Sequence, residues 1–188
     1  MIEQTLVLVK PDGVYRGLIG TVIAEFEGTG LKVVGLKLVK PDKSTVGKHY
    51  VDDEKYLESV GAKTIKSYKA RGVEVTESEL DIGKRIRSYL FNYLTGLPVV
   101  AMVVEGNEAV AIVKKITGAT SPTDADHSSI RGRYASDSYD LADSKKRAIK
   151  NILHVSGDKN DALREVKLWF KDSEIVEYRR ADESTLYD

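Results

Sequence analysis

The chain has no cysteine among its 188 residues, so a disulfide framework and thiolate chemistry are both excluded, which suits a reducing compartment. It has no net charge, with 29 basic and 29 acidic residues. A bulk affinity for nucleic acid or acidic lipid is therefore not expected, although a local basic patch remains possible. No apolar run approaches the length of a membrane span. The opening Met1-Ile2-Glu3-Gln4 enters a strand-like run at once, with no room for a signal peptide. The expectation is a cytoplasmic protein with no membrane or nucleic-acid partner. No metal-ligand spacing is visible, so no metal site built from side chains is expected. Histidine is scarce, at three residues. What remains is an ordinary globular composition, 41% hydrophobic and 31% charged, in a chain long enough for one domain with a full core over residues 1–188. No internal repeat or linker interrupts it.

Thr5 to Lys10 is a continuous apolar run ending in a charge, which predicts a strand buried on both faces with Lys10 at its mouth. After Pro11-Asp12-Gly13 the period changes. Ile19, Val22, Ile23 and Phe26 share a helix face, closed by Gly28 and Gly30. Leu31 to Lys40 is a second strand. Ser44 or Thr45 is a candidate cap for a short helix carrying His49, Tyr50 and Tyr56. Residues 59–96 form a helical stretch, with a capping-box spacing from Thr76 to Glu79 and one face made of Ile82, Ile86, Tyr89, Leu90 and Tyr93. Leu97 to Glu105 is a third strand, and Asn107 a candidate cap for a helix through Ile116. Residues 117–148 are an extended, mostly irregular loop with one helical turn near Leu141; loops of this length usually have a function. Ala148 to His154 is the fourth strand. Asp158 or Asn160 then caps a helix with Ala162, Leu163, Val166, Trp169 and Phe170 as its buried stripe. Glu165 lies on the stripe's edge, turned inward without full burial. The charged tail from Lys171 wraps the surface. This order predicts an α+β fold, a ferredoxin-like α/β sandwich: a four-stranded antiparallel sheet, helices on one face, and a helical segment inserted at about 59–95.

The chemistry concentrates at Asn151-Ile152-Leu153-His154-Val155-Ser156. An imidazole at a strand end, steered by the carboxylate of Glu165 eleven positions on, suits nucleophilic or acid–base work. A family resemblance sharpens this. Lys10-Pro11-Asp12-Gly13-Val14 followed by Arg16-Gly17-Leu18-Ile19-Gly20 resembles the opening of the nucleoside diphosphate kinases. His49-Tyr50, Gly118-Ala119-Thr120-Ser121-Pro122, Ile130-Arg131-Gly132, Asn151-x-x-His154-x-Ser156 and Glu165…Leu168-Trp169-Phe170 recur in that family's order. The resemblance spans nearly the whole chain. It implies ping-pong transfer of a γ-phosphate from ATP or another nucleoside triphosphate to a nucleoside diphosphate, through a phosphohistidine at His154. Glu165 would hold the other ring nitrogen, with Asn151 and Ser156 in support. Lys10, Tyr50 and Arg131 would surround the phosphates, Thr120 would add a hydroxyl, and Asn151 would also reach the sugar. Mg²⁺ would arrive with the nucleotide rather than sit in a protein cage. The base would stack on Tyr56 or Leu57 at the cleft entrance. A homo-oligomer is implied, as hexamer, tetramer or dimer.

Three departures from the family pattern stand out. Lys114 occupies a position usually held by arginine, which keeps the charge but loses the bidentate fork, unless Lys115 shares the work. Val155 follows the nucleophile where glycine is usual, with Gly157 a candidate to restore the turn. Extra length appears at about 59–95 and 133–148, as in a longer subgroup associated with archaea and some bacteria. His49 and His127 read as surface or capping residues, and Trp169 and Phe170 as core. The helix at 78–95 reads as structural, with a lid as the other reading. Against the enzyme stands a catalytically weak, nucleotide-binding interaction module. A ferredoxin-like nucleic-acid binder is disfavoured by zero net charge and the lack of an aromatic strand motif.

Overall fold

The computed structural model describes residues 2–187. Its centre is β1 (Ile2–Val9), in which Leu6, Val7, Leu8 and Val9 are all fully buried. Side chains alternate along a strand, so a run apolar at every position needs a cover on both faces. The protein supplies two. Val7 and Val9 face a cluster with Val22 and Phe26 of one helix and Val113 of another. Leu6 and Leu8 face a second cluster with Val46, Leu94, Trp169 and Phe170. The expectation of helices on one face is thus corrected: the sandwich has helices on both, as the pattern of β1 itself requires.

In chain order the elements after β1 are α1 (Pro11–Tyr15), α2 (Ile19–Glu27), β2 (Lys32–Val39), α3 (Lys43–His49), α4 (Glu54–Ala70) and α5 (Glu79–Leu94). Then come β3 (Val99–Asn107), α6 (Ala109–Thr117), α7 (Ile130–Tyr134), α8 (Tyr139–Ser144), β4 (Leu153–Val155), α9 (Lys159–Trp169) and α10 (Glu183–Tyr187). The sheet order is β2-β3-β1-β4, every neighbouring pair antiparallel. This is the ferredoxin-like topology.

Several boundaries differ from the sequence expectation, for local reasons. Asp42, not Ser44 or Thr45, caps α3 by accepting from the Thr45 amide at 2.7 Å. Ser78 caps α5 through the Asp81 amide, which displaces the expected Thr76–Glu79 box. Asn107 ends β3, and the residue before α6 is Glu108 in a left-handed conformation. Asp158 caps α9. Leu163 is exposed, while Glu165 is fully buried on the inner face of α9. The loop at 117–148 holds α7, α8 and a 3-10 turn at Pro122–Asp124. The fourth strand is three residues, not seven. Upstream of it the Lys150 amide bonds to Asp137 instead of a strand, and Ile152 leaves extended geometry altogether. The tail runs along β2, through Val176 N–H to Val34 O at 2.7 Å and Arg180 to Leu31 O at 2.8 Å.

The stretch at 59–96 is two antiparallel helices, α4 and α5, joined by a turn. They cross at two glycines. A Cβ on Gly61 would lie 1.8 Å from the Glu79 carbonyl oxygen, and one on Gly83 would lie 2.0 Å from that of Leu57. Intrinsic propensity says Gly→Ala in a helix gains up to about 1 kcal/mol. The crossing says the reverse, because backbone cannot yield as a flexible side chain can. Gly61→Ala and Gly83→Ala are each expected to destabilise by about 1–3 kcal/mol, read as a lower melting temperature and faster proteolysis at 71–78. A raised melting temperature in either variant would refute the close crossing.

Candidate active site

His154 is the central residue of β4, opposite Leu8. Its Nε2 lies 3.0 Å from Glu165 Oε2, and the Ser156 hydroxyl donates to the same oxygen at 2.7 Å. The carboxylate thus takes up one ring nitrogen and leaves Nδ1 for the cleft that His154 lines. Burial alone would raise the Glu165 carboxyl. The charge of the adjacent His154 ring, the hydrogen bond to it, His49 and the Ser156 hydroxyl outweigh that and hold it at about 2. Glu165 is therefore ionised at any working pH.

The approach to His154 is a γ-turn. Ile152 sits at φ +69°, and the Leu153 amide bonds to the Asn151 carbonyl at 2.7 Å. This conformation is strained for a β-branched residue. It is pinned from several directions: the Ile152 amide donates to Asp12 Oδ2 at 3.0 Å, and the Ile152 carbonyl accepts from the Lys10 amide at 2.7 Å. Gly13 allows the approach, since a Cβ there would meet Val9 at 2.8 Å and Ile152 at 3.1 Å. Tyr93 completes the support by donating to Asp12 Oδ1 at 2.5 Å. Asp12 and Tyr93 act on the site through the backbone and had no sequence signal beyond the turn and the helix stripe.

Lys10 is 3% exposed. Its Nζ donates to Asn151 Oδ1 and to the Ile149 carbonyl, the latter at 3.2 Å. Arg131, on α7, donates from Nε to Asn151 O at 3.2 Å, from Nη1 to Gly118 O at 2.9 Å and from Nη2 to Leu153 O at 2.8 Å. An ammonium has three N–H bonds and a guanidinium five, so both cations keep donors in reserve while facing the cleft. Burial pushes Lys10 down to about 8, partly offset by Asp12 and reinforced by Arg131. Burial likewise lowers Arg131 to about 10. Asn151 Nδ2 donates to the Thr120 carbonyl at 2.6 Å, which fixes the loop that carries the Thr120 hydroxyl. Tyr50, buried with its phenol pushed up by desolvation, lies in the cleft wall, and Lys114 stands at the rim with Nζ on Gly157 O at 2.8 Å.

The cleft has a volume of about 580 Å³, and no carboxylate lines it among the described residues. His154, Lys10, Tyr50, Thr120, Arg131, Asn151, Ser156 and Lys114 all line it, and Glu165 reaches it through His154. Val155 packs against the core cluster of Leu153 and also lines the cleft beside His154. Tyr56 and Leu57 are corrections. Leu57 is 3% exposed beneath the α4–α5 crossing, and Tyr56 faces the charges of Asp161, Arg164 and Glu165. Neither touches the cleft. The apolar surface beside it is instead a hollow of about 220 Å³ between α4–α5 and the 139–149 segment. Leu90, Thr120 and Ile149 line both spaces. Ile86, Tyr89 and Leu90 are only half-buried on the stripe that the sequence assigned to one helix face. That excess width was the available signal. His127 is exposed as expected, but His49 is not a surface residue: it is 2% exposed and its ring centroid lies 4.4 Å from that of His154.

A sequence model of the nucleoside diphosphate kinase family matches residues 3–68 and 79–175. A nucleoside diphosphate kinase of Pyrobaculum aerophilum is 40% identical over 181 residues, covering 94% of this chain and 99% of that protein. The one from Borreliella burgdorferi is 36% identical over 187 residues, covering 100% and 98%. The crystal structure of the Pyrobaculum enzyme superposes with a TM-score of 0.88 over 94% of this chain and 100% of that one, at 39% identity. The Borrelia burgdorferi enzyme, solved as a transition-state mimic with bound vanadate and ADP, gives 0.80 at 36% identity, over 98% and 96%. The family model spans most of the chain and these relatives match it nearly end to end in sequence and in fold, so the chain belongs to the nucleoside diphosphate kinases.

Proposed function

We propose that the enzyme relays a phosphoryl group through His154 Nδ1. The lone pair of the neutral ring attacks the γ-phosphorus of a nucleoside triphosphate. An N–P bond forms as the bond from the γ-phosphorus to the bridging oxygen breaks, and the diphosphate leaves. The ring then carries positive charge, which the ionised Glu165 stabilises through the Nε2 proton. In the second half the terminal oxygen of another nucleoside diphosphate attacks the same phosphorus and the N–P bond breaks. The spare donors of Lys10 and Arg131, with the Thr120 hydroxyl, Tyr50 and the Lys114 rim, meet the charge spread over the phosphate oxygens. The observation that carries this reading is the His154–Glu165 pair, which commits Nε2 and leaves Nδ1 free in a cleft that two buried cations with unused N–H groups also line.

Mg²⁺ supplies charge neutralisation along the polyphosphate when bound. A cleft lined by cations and hydroxyls fits an ion brought in on phosphate oxygens better than one caged by side chains. The base takes the apolar hollow against Ile86, Tyr89, Leu90 and Ile149, in place of the expected Tyr56 or Leu57. Van der Waals contact with few polar groups tolerates different bases, so nucleoside di- and triphosphates in general are the substrates. A cytoplasmic setting fits those substrates and the cysteine-free sequence. The catalytically weak binding module is the lesser reading, since the nucleophile, its carboxylate and the buried cations lie together.

β2 is an edge strand; the tail bonds to it at Val34, and beyond that point Leu36 and Leu38 stay exposed, 52% and 64% accessible. Such an edge invites pairing with a second copy, and we place the homo-oligomer contact there. Light scattering is expected to give a multiple of the protomer mass for the native chain and a lower mass for Leu38→Asp; a monomeric native protein would overturn the assignment.

Brief exposure to ATP·Mg²⁺ is expected to add one phosphoryl group, acid-labile and alkali-stable, mapped by mass spectrometry to the peptide holding His154. His154→Ala should lose it, with kcat lower by on the order of 10⁴ or more. Equilibration of ATP with a diphosphate by that variant at the native rate would exclude the relay. The buried Lys10 also predicts a pH profile. Its folded pKa of about 8 lies below the ordinary 10.5, so the free enzyme loses this cation first. kcat/KM should fall roughly tenfold per pH unit above about 8. Between those two values the unfolded chain binds more protons than the folded one, so stability from this group rises with pH while activity falls. A kcat/KM still level a full pH unit above that point would contradict it.

A further inference from the structure

His49 ends α3, and its side chain is enclosed. Three rings surround it edge to face: Tyr50 at 4.6 Å, His154 at 4.4 Å and Trp169 at 5.7 Å between centroids, with interplanar angles of 66°, 80° and 87°. The Trp169 indole N–H donates to His49 Nδ1 at 3.3 Å. An indole can only donate. Nδ1 must then be bare, and the ring's single proton sits on Nε2, which has no hydrogen-bond partner among the described residues. Burial drives the ring's pKa down to about 3, helped by His154 and opposed by Glu165, so it stays neutral.

This tautomer decides what His49 can do. Its bare Nδ1 is 3.7 Å from Glu165 Oε1 and has no proton to offer. His49 therefore does not compete with His154 for the carboxylate and cannot serve as a proton donor to it. Packing alone gives no reason for an imidazole here, since a buried N–H without an acceptor weakens the fold and an apolar ring would fill the space without that cost. The indole anchor does give a reason: it fixes the ring edge to face against His154, 4.4 Å between centroids.

We infer that His49 is a positioning residue for the nucleophile: its ring, anchored by Trp169, is the wall that keeps the His154 imidazole turned with Nε2 on Glu165 and Nδ1 toward the phosphates. The inference rests on the His154 relay proposed above. Without the wall, His154 can swing off Glu165 and present Nε2 to the γ-phosphorus.

The two phosphohistidine isomers are distinct in ³¹P NMR, so the orientation of the ring is recorded in the product. For the full-length enzyme after ATP·Mg²⁺, the native protein should yield the Nδ1 isomer alone. His49→Ala should yield a mixture containing the Nε2 isomer, with kcat lower by about tenfold or more from misalignment and KM for ATP within about twofold, since His49 itself does not line the cleft. His49→Phe keeps a wall and should restore the single isomer. Trp169→Phe removes only the anchor and should show a minor Nε2 fraction, which keeps the test open if His49→Ala does not fold. Nδ1 isomer alone in both His49→Ala and Trp169→Phe overturns the inference while leaving the relay standing. A native enzyme that takes no phosphoryl group at His154 removes both.

Discussion

Ile152 is β-branched, fully buried and held at φ +69°, a combination that costs about 1–3 kcal/mol in isolation. It persists because its neighbours over-determine it. Its amide and carbonyl are taken by Asp12 and by the Lys10 backbone, and the carbonyls on either side, of Asn151 and Leu153, are both held by the Arg131 guanidinium. The turn sets where β4 begins and so which way His154 faces. Had the chain continued as a strand from Ala148, Lys150 and Asn151 would have been paired in the sheet and Asn151 could not have reached Lys10 and Thr120. The γ-turn is thus the point at which backbone geometry becomes site geometry.

The same cations serve structure and chemistry. Arg131 meets three backbone carbonyls, and Lys10 meets a carbonyl and an amide oxygen. Neither has a carboxylate as hydrogen-bond partner. A direct ion pair would have satisfied the charge and weakened its pull on a visiting anion; neutral dipoles hold the side chain in place, and Asp12 offsets the charge only in part, without a hydrogen bond to it. The depressed pKa values of both groups are the cost of that arrangement. An incoming polyphosphate removes the cost, which favours binding in a site already aligned for transfer.

Much of this was legible in the chain. The four apolar residues before Lys10 specified the central strand, and the ordered motifs gathered Lys10, Tyr50, Thr120, Arg131, Asn151, His154 and Ser156 into one cleft, with Glu165 on His154 behind it. What escaped was whatever depends on approach from a distant segment. His49 looked like a polar residue at the end of a short helix, and only the arrival of Trp169, 120 positions later, makes it core. Tyr56 and Leu57 were sought near Tyr50 in sequence, but the intervening hairpin carries the chain away. It returns the cleft-facing apolar surface some thirty residues on, at Ile86 to Leu90. Helices on one face were assumed from topology, while the strand pattern already argued for two.

The hairpin of α4 and α5 and the 133–148 segment are not independent of one another. Arg71, just past the end of α4, bonds to Asp140 and to Asp143 of α8, the latter at 3.0 Å, and stacks between Tyr68 at 5.1 Å and Tyr139 at 5.5 Å. The Tyr68 hydroxyl also reaches Asp143, at 3.3 Å. The internal segment that the family model leaves unmatched, 69–78, contains Arg71 and the rest of this hairpin turn. The part of the hairpin outside the family match is therefore the part that grips α8. Between the two lies the apolar hollow, walled by Val60, Ile86 and Tyr89 on one side and by Ala142, Ala148 and Ile149 on the other. A lone helical hairpin packed on a glycine crossing would be free to swing about its base at Leu94. Joined at its tip to α8, it is held at both ends, which fixes the width of the hollow. Thr120 and Ile149 line hollow and cleft alike, and the Ile149 carbonyl accepts from Lys10, so the apolar end of the cleft is tied directly to the ionic end.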